Sequence, residues 1–292
     1  MKSIRALLLC IIPATVFVSC QKSYMPDPVV AGSGGTGSST GTVLSTYQSK
    51  TVGSSESSTS TYEYDGSSRV IKITSVDVDS SNNSITTVYR YVRDVSGKIT
   101  SVVTNSLAAN SPGSGFPDSV YVNVNYPSGS SAYNFTSYAF SVGSVPVKDS
   151  IGYLYTGSTL TDVYEYQAIS TTTFTVSSRI QYIYSNGNIV TEKIYLPATT
   201  GGALTLAGTY AFDYDSKTSP LITGNESFLP GQNFGYACKN NPVKFVATDN
   251  STNSVFATLN YTYQYNSSGL PISGTVVQTP GNKTTTLTLS YR

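Results

Sequence analysis

The sequence contains no histidine and no tryptophan, and only 11% of its 292 residues are charged. Without imidazole there is no Ser-His-Asp or Cys-His activation of a nucleophile, no histidine-ligated zinc and no imidazole acid–base catalysis. A net charge of +1 provides no basic surface for nucleic acid, which is bound through clustered Lys and Arg. Cysteine is scarce as well. Cys10, Cys20 and Cys238 make no disulfide framework, and Cys238 is expected to be a small, partly buried hydrophobe. Sustained helical spacing is missing, and with it any Gly-rich phosphate loop opening a helix. No catalytic constellation, metal or cofactor is implied, and the chain reads as a non-enzyme.

What is present begins at the amino terminus. Lys2 and Arg5 precede an apolar run from Ala6 to Val18. That run is too short for the roughly 20 residues a bilayer span needs, but it suits the core of a secretory signal. It ends at Phe17-Val18-Ser19-Cys20. Ser19 offers the small side chain a signal peptidase requires before its cut, and Cys20 a thiol for diacylglycerol. The stretch resembles the lipobox of bacterial lipoproteins, in the relaxed form found in Bacteroidota. The resemblance implies cleavage before Cys20, palmitoylation there, and the membrane as a partner through lipid. With Gln21 next, the outer membrane is the expected destination, on its periplasmic or its surface side.

From Ala31 to about Ser60, Gly, Ser and Thr dominate, and such a stretch buries too little apolar surface to order itself. The expected organisation is a signal peptide (1–19), a Gly/Ser/Thr-rich tether (20–60) and an all-β domain (61–292). A flexible tether of about 38 residues spans roughly 30–35 Å.

Beyond Thr61 one theme recurs: a strand of alternating Tyr, a polar turn with Gly or Pro, then a departing strand. Tyr62-Glu63-Tyr64-Asp65-Gly66, Tyr182-Ile183-Tyr184-Ser185-Asn186-Gly187 and Tyr261-Thr262-Tyr263-Gln264-Tyr265 show it most clearly. The final tyrosines, taken as Tyr64, Tyr91, Tyr126, Tyr155, Tyr184, Tyr214, Tyr265 and Tyr291, recur at about 29 residues, the length of one long hairpin. One interval is far longer and contains Leu221 to Val243, expected to be a loop or insertion. Alternation puts Tyr on one face and Thr, Ser, Glu and Gln on the other. The reading is an antiparallel sheet of repeated hairpins with roughly 14–16 strands, curved or partly closed as a barrel. An outer face so polar cannot contact lipid, so the barrel is not expected to span a membrane.

Two resemblances follow. The unit Tyr64-Asp65 to Val70 resembles the Tyr-Asp repeats of Rhs proteins. More specific are Phe212-Asp213-Tyr214-Asp215-Ser216-Lys217 with Pro220, then Asn240-Asn241, then Tyr263 through Pro271, in that order. Together they resemble a family of Bacteroidota lipoproteins carrying a domain of unknown function, porin-like in fold. The resemblance covers about residues 60–292 and implies no activity.

Candidate chemistry is thin. Asp77 to Asn83 invites a calcium reading, but Asn82 and Val88 stand where an EF-hand loop needs Gly and Glu, so a hairpin tip is expected. Glu63, Asp65, Asp162, Glu165, Asp213 and Asp215 offer carboxylates for glycoside hydrolysis, yet no spacing pairs them around a cleft. The regular tyrosines are expected to bind the sheet together. A ligand site should interrupt the repeat, which points to Phe234, Tyr236 and Lys239. The expected function is a lipid-anchored envelope lipoprotein with a structural or interaction role. A surface glycan-binding lipoprotein is the first alternative and a glycosidase the second; another envelope protein is the other conceivable partner.

Overall fold

The structure, a computed structural model, describes residues 43–105, 119–142, 145–168, 173–219, 224–231 and 238–292. The expected signal peptide, Ser19, Cys20 and most of the expected tether lie outside them. The strands are β1 (Leu44–Thr51), β2 (Ser57–Tyr64), β3 (Val70–Val78), β4 (Ser84–Arg93), β5 (Ile99–Asn105), β6 (Ser119–Asn125), β7 (Phe135–Val142) and β8 (Val145–Thr156). They continue with β9 (Thr159–Ala168), β10 (Phe174–Ser185), β11 (Asn188–Pro197), β12 (Leu204–Thr218), β13 (Asn240–Asp249), β14 (Ser254–Tyr265), β15 (Pro271–Thr279) and β16 (Lys283–Tyr291). Each pairs antiparallel with its sequence neighbours, and β1 pairs with β16, so the sheet closes completely into a barrel.

The barrel begins earlier than composition indicates. β1 and the first half of β2 fall in the stretch expected to be tether. Their Ser and Thr do not prevent burial because the hydroxyls satisfy one another. Ser60 and Ser75 meet at 2.9 Å and Thr51 and Thr285 at 3.4 Å, and Ser49, Thr51, Ser60 and Thr285 are all buried. A buried hydroxyl is costly only when unpaired.

Alternation decides which face is which. In β14, Ala257, Leu259, Tyr261 and Tyr263 are buried while Asn260, Thr262 and Gln264 are exposed. In β16, Leu287 and Leu289 are buried between exposed Thr286, Thr288 and Ser290. Apolar side chains point into the lumen and polar ones out.

The turns explain the repeat. Asp65 Oδ1 accepts from the backbone N–H of Ser67 (2.8 Å) and Arg69 (3.0 Å). Asp94 does the same for Ser96 and Lys98, and Asn266 for Ser268 and Leu270. The residue three after each cap, Ser68, Gly97 or Gly269, takes a positive φ. The acidic or amide side chain thus folds the hairpin tip locally. Asp79 caps Ser81 and Asn83 in this way at the β3–β4 tip, which accounts for the calcium-like run.

Every even-numbered strand ends at the same rim, so the repeated tyrosine becomes a ring around that rim. A bulge sits there in six strands, at Glu63/Tyr64, Val92/Arg93, Leu154/Tyr155, Ile183/Tyr184, Asp213/Tyr214 and Gln264/Tyr265. The bulges correct the sequence alignment: in β4 the place of the final tyrosine belongs to Arg93, two residues beyond Tyr91. Three of the ring hydroxyls donate to the start of the preceding odd strand: Tyr64 to Leu44 O (2.8 Å), Tyr214 to Ile189 O (2.6 Å) and Tyr291 to Pro271 O (2.5 Å). That is why the position carries Tyr rather than Phe. Tyr64→Phe is expected to lose about 1 kcal/mol, read as a lower urea midpoint with an unchanged slope.

Candidate functional site

A barrel of 16 strands ordinarily leaves an aqueous channel. This lumen is filled, first by the inward side chains and then by part of the β12–β13 connection. The long interval in the repeat is therefore an insertion, and its described part is a plug. It comprises a single 3-10 turn, Gly224–Phe228, running on to Gly231. Phe228, Leu229 and Pro230 are buried, and Phe228 meets the Tyr182 ring at 5.1 Å.

The plug follows the wall made by β4. Glu226 accepts both guanidinium nitrogens of Arg93, at 2.7 and 2.8 Å. Deeper in, Tyr91 donates to Pro230 O at 2.9 Å, and Gly231 lies against the Tyr89 ring. A Cβ there would stand 2.2 Å from Tyr89 Cγ, and the φ of Gly231 is +82°, so no other residue fits without displacement. The one even strand that offers Arg in place of the ring tyrosine is the strand to which the plug is clamped. The Arg93 side chain is 6% exposed and that of Glu226 31%. Burial works against the arginine's charge, but the hydrogen bonds and charge of Glu226 outweigh it and hold its pKa above the ordinary value.

Three more acids are wholly or partly buried. Asp149 accepts Tyr138 O–H at 2.9 Å and Glu165 accepts Ser178 O–H at 3.0 Å. Burial raises the pKa of both despite these bonds. Glu192 stands between Tyr182 and Tyr210 in register, is 1% exposed, and its Oε2 has no hydrogen-bond partner. Burial pushes its pKa up to about 8. Glu165 and Glu192 are buried in the packed interior, while Asp149 is half-buried.

The carboxylates singled out from sequence are dispersed. Glu63 pairs with Lys72 (2.6 Å), Asp65 with Arg69 (2.7 Å) and Asp162 with Arg179 (2.6 Å). Asp213 is exposed, while Asp215 accepts from Tyr265 O–H and from Asn241. Apart from Asp213, each is spent on an ion pair, a turn or a rim contact. Of the residues proposed for a ligand, Phe234 and Tyr236 lie outside the described residues. Lys239 is exposed, and its backbone N–H donates to Gly187 O (3.0 Å). Cys238 is fully buried; it accepts from Ile189 N–H at 3.4 Å and touches Tyr214 Oη at 3.2 Å. Burial raises its thiol pKa, which makes it a packing residue as expected.

A concave feature of the outer wall lies elsewhere, over β6–β10. It is a groove of 460 Å³. Register places Asn123, Ser137, Ser150 and Tyr166 in one row across four strands. The floor is shallow because its residues are small: Ser137 and Ala139 on β7, Ser150 on β8, and next along β8, Gly152. The Tyr166 ring closes over Gly152, 3.2 Å from where a Cβ would be. Phe135, Tyr138, Lys148, Asp149 and Phe174 complete the lining. Beyond Tyr166 the surface stays aromatic. Tyr164 and Tyr166 stack at 6.4 Å, and Arg179 lies over Tyr164 (5.6 Å) and Tyr195 (5.1 Å). Nothing in the linear sequence isolates this site, since its residues come from five strands and their neighbours share the same composition.

No protein-family model matches the chain, and no curated protein matches it. Two solved structures share its architecture. A porin-like protein from Bacteroides vulgatus ATCC 8482 superposes with a TM-score of 0.52 at 14% identity, over 86% of this chain and 99% of that one. The fold is porin-like. A porin-like protein from Bacteroides uniformis ATCC 8492 gives a TM-score of 0.51 at 14% identity, over 85% of this chain and 98% of that one. At such identity the likeness speaks of architecture alone. The chain shares a porin-like barrel while filling its lumen with apolar side chains and a clamped plug.

Proposed function

We propose that this chain is a lipid-anchored protein of the outer envelope that serves as a binding and scaffolding module and conducts nothing. The observation that carries the reading is the direction of its alternation. A membrane-spanning barrel turns an apolar band toward lipid and keeps a polar lumen. Here β14 and β16 turn Thr, Gln, Asn and Ser outward and pack Leu and Tyr inside. The anchor is supported by the apolar run closing on Ser19-Cys20. The barrel's first strand starts on the tyrosine rim, so in this reading that rim faces the membrane and the opposite end faces away. The porin-like fold supports an envelope location.

Cells grown with labelled palmitate should label the wild-type protein and leave Cys20→Ser unlabelled. The purified protein added to planar bilayers should give no conductance steps. A wild-type protein without label would remove the anchor, and reproducible steps would remove the non-spanning reading.

A further inference from the structure

The outer groove over β6–β10 has a chemistry unlike the rest of the wall. Most of the outer surface is Thr, Ser, Asn, Gln and charged side chains. Here exposed or half-buried rings gather: Phe135, Tyr164, Tyr166 and Phe174, with Tyr121, 62% exposed, two residues before Asn123 on the outer face of β6. Between the rings stand an amide, hydroxyls and one ammonium. Asp149 also lines the groove beside Lys148, its carboxylate accepting from Tyr138 O–H, so among the described lining residues one acid is matched by one cation.

We propose that this groove binds a neutral oligosaccharide chain, stacked on Phe135 and Tyr166 and hydrogen-bonded by Asn123, Ser137 and Lys148. A saccharide presents apolar C–H faces alternating with rims of hydroxyls. Flat amphipathic rings set among neutral donors and acceptors match both surfaces at once. A purely apolar ligand would leave Asn123 and Lys148 desolvated and unpaired, which costs free energy. An acidic polymer would need more than one cation. The dimensions agree. Three strand spacings of about 4.8 Å separate Asn123 from Tyr166 by about 14 Å, a few sugar rings in length. A groove of 460 Å³ lies within the usual range for a small ligand. From Thr156 at the tyrosine rim to Ser150 the strand rises about 20 Å, which sets the groove well away from the rim assigned to the membrane. This inference rests on the interaction role proposed above and names its ligand class.

The test uses the mature protein in detergent, titrated with neutral hexasaccharides (malto-, cello-, manno-, xylo- and chito-oligosaccharides) and followed by tyrosine fluorescence and calorimetry. At least one should bind with a Kd below 1 mM. Tyr166→Ala and Gly152→Val, which fills the floor beneath the ring, should each weaken that binding tenfold or more. Tyr166→Phe, which keeps the ring, should retain most of it. Phe256→Ala, at an exposed ring on β14 outside the groove, should leave it unchanged. Circular dichroism of each variant separates loss of binding from loss of fold. Failure of every hexasaccharide, or binding indifferent to both groove variants, overturns the proposal. Because the assay needs no lipid, its failure leaves the palmitate result standing, and the reverse holds too.

Discussion

Replacing Glu226 with glutamine should lower the stability of the barrel by about 2–3 kcal/mol. Removing one member of a buried ion pair leaves the other charge without a counterion inside the protein, at a cost of about 3–5 kcal/mol when burial is complete. Arg93 meets that description at 6% exposure, whereas Glu226 is 31% exposed, and the solvent reaching it screens part of the loss. Arg93→Ala should be the more damaging change. Its guanidinium also donates to Gly97 O (2.8 Å) and Val70 O (3.0 Å), and those carbonyls would lose their partner. A double variant, Arg93→Met with Glu226→Leu, should recover much of the stability, because no charge is then left behind. Urea denaturation measures all three. A midpoint for Glu226→Gln equal to that of wild type would mean that the clamp contributes nothing to holding the plug.

The second large effect is set by pH. Glu192 carries a pKa raised to about 8, above its ordinary value near 4.3 in an unfolded chain. Between those two values the folded state holds a proton that the unfolded state has released. Stability therefore falls as pH rises through this window and levels off above pH 8. The full drop is on the order of 4–5 kcal/mol at about 1.4 kcal/mol per unit. Asp149 and Glu165, both raised by burial, push the same way. Glu192→Gln, neutral at every pH, should match wild type near pH 4.5 and exceed it by several kcal/mol at pH 9. Melting curves across pH 4.5–9 check this. Parallel pH profiles for the two proteins would show that Glu192 ionises without penalty and is not confined as described.

The strand content and the hairpin repeat were legible because alternating Tyr and capped turns are local features, encoded within about ten residues of one another. Asp65, Asp94 and Asn266 each fold their own tip. The start of the barrel was not legible. Leu44 to Ser60 is polar enough to pass for linker, and its burial depends on hydroxyl partners more than ten residues away, Ser75 for Ser60 and Thr285 for Thr51. The repeat itself was misaligned in β4, where Tyr91 stood in for the ring position that the bulge gives to Arg93. That slip concealed the clamp: an arginine replacing a ring tyrosine is the sequence mark of the plug, and its partner Glu226 lies 133 residues on. The expectation that a site should interrupt the repeat pointed to the connection between β12 and β13, whose residues 224–231 fill the lumen, while Phe234 and Tyr236 lie outside the described residues. The outer groove leaves no such mark, since Gly152 and Ser137 look like any other small residues until register sets them side by side.

The seam between β1 and β16 has a consequence for biogenesis. Val43 and Arg292 exchange backbone hydrogen bonds at 3.0 and 2.9 Å, so β16 is needed to complete the ladder of β1. Until β16 is in place, the sheet has two free edges, each able to recruit a strand from another molecule. Joining contacts so distant in sequence is slow. Closure is thus the late, order-determining event in the life of this protein, and it removes both edges in one step.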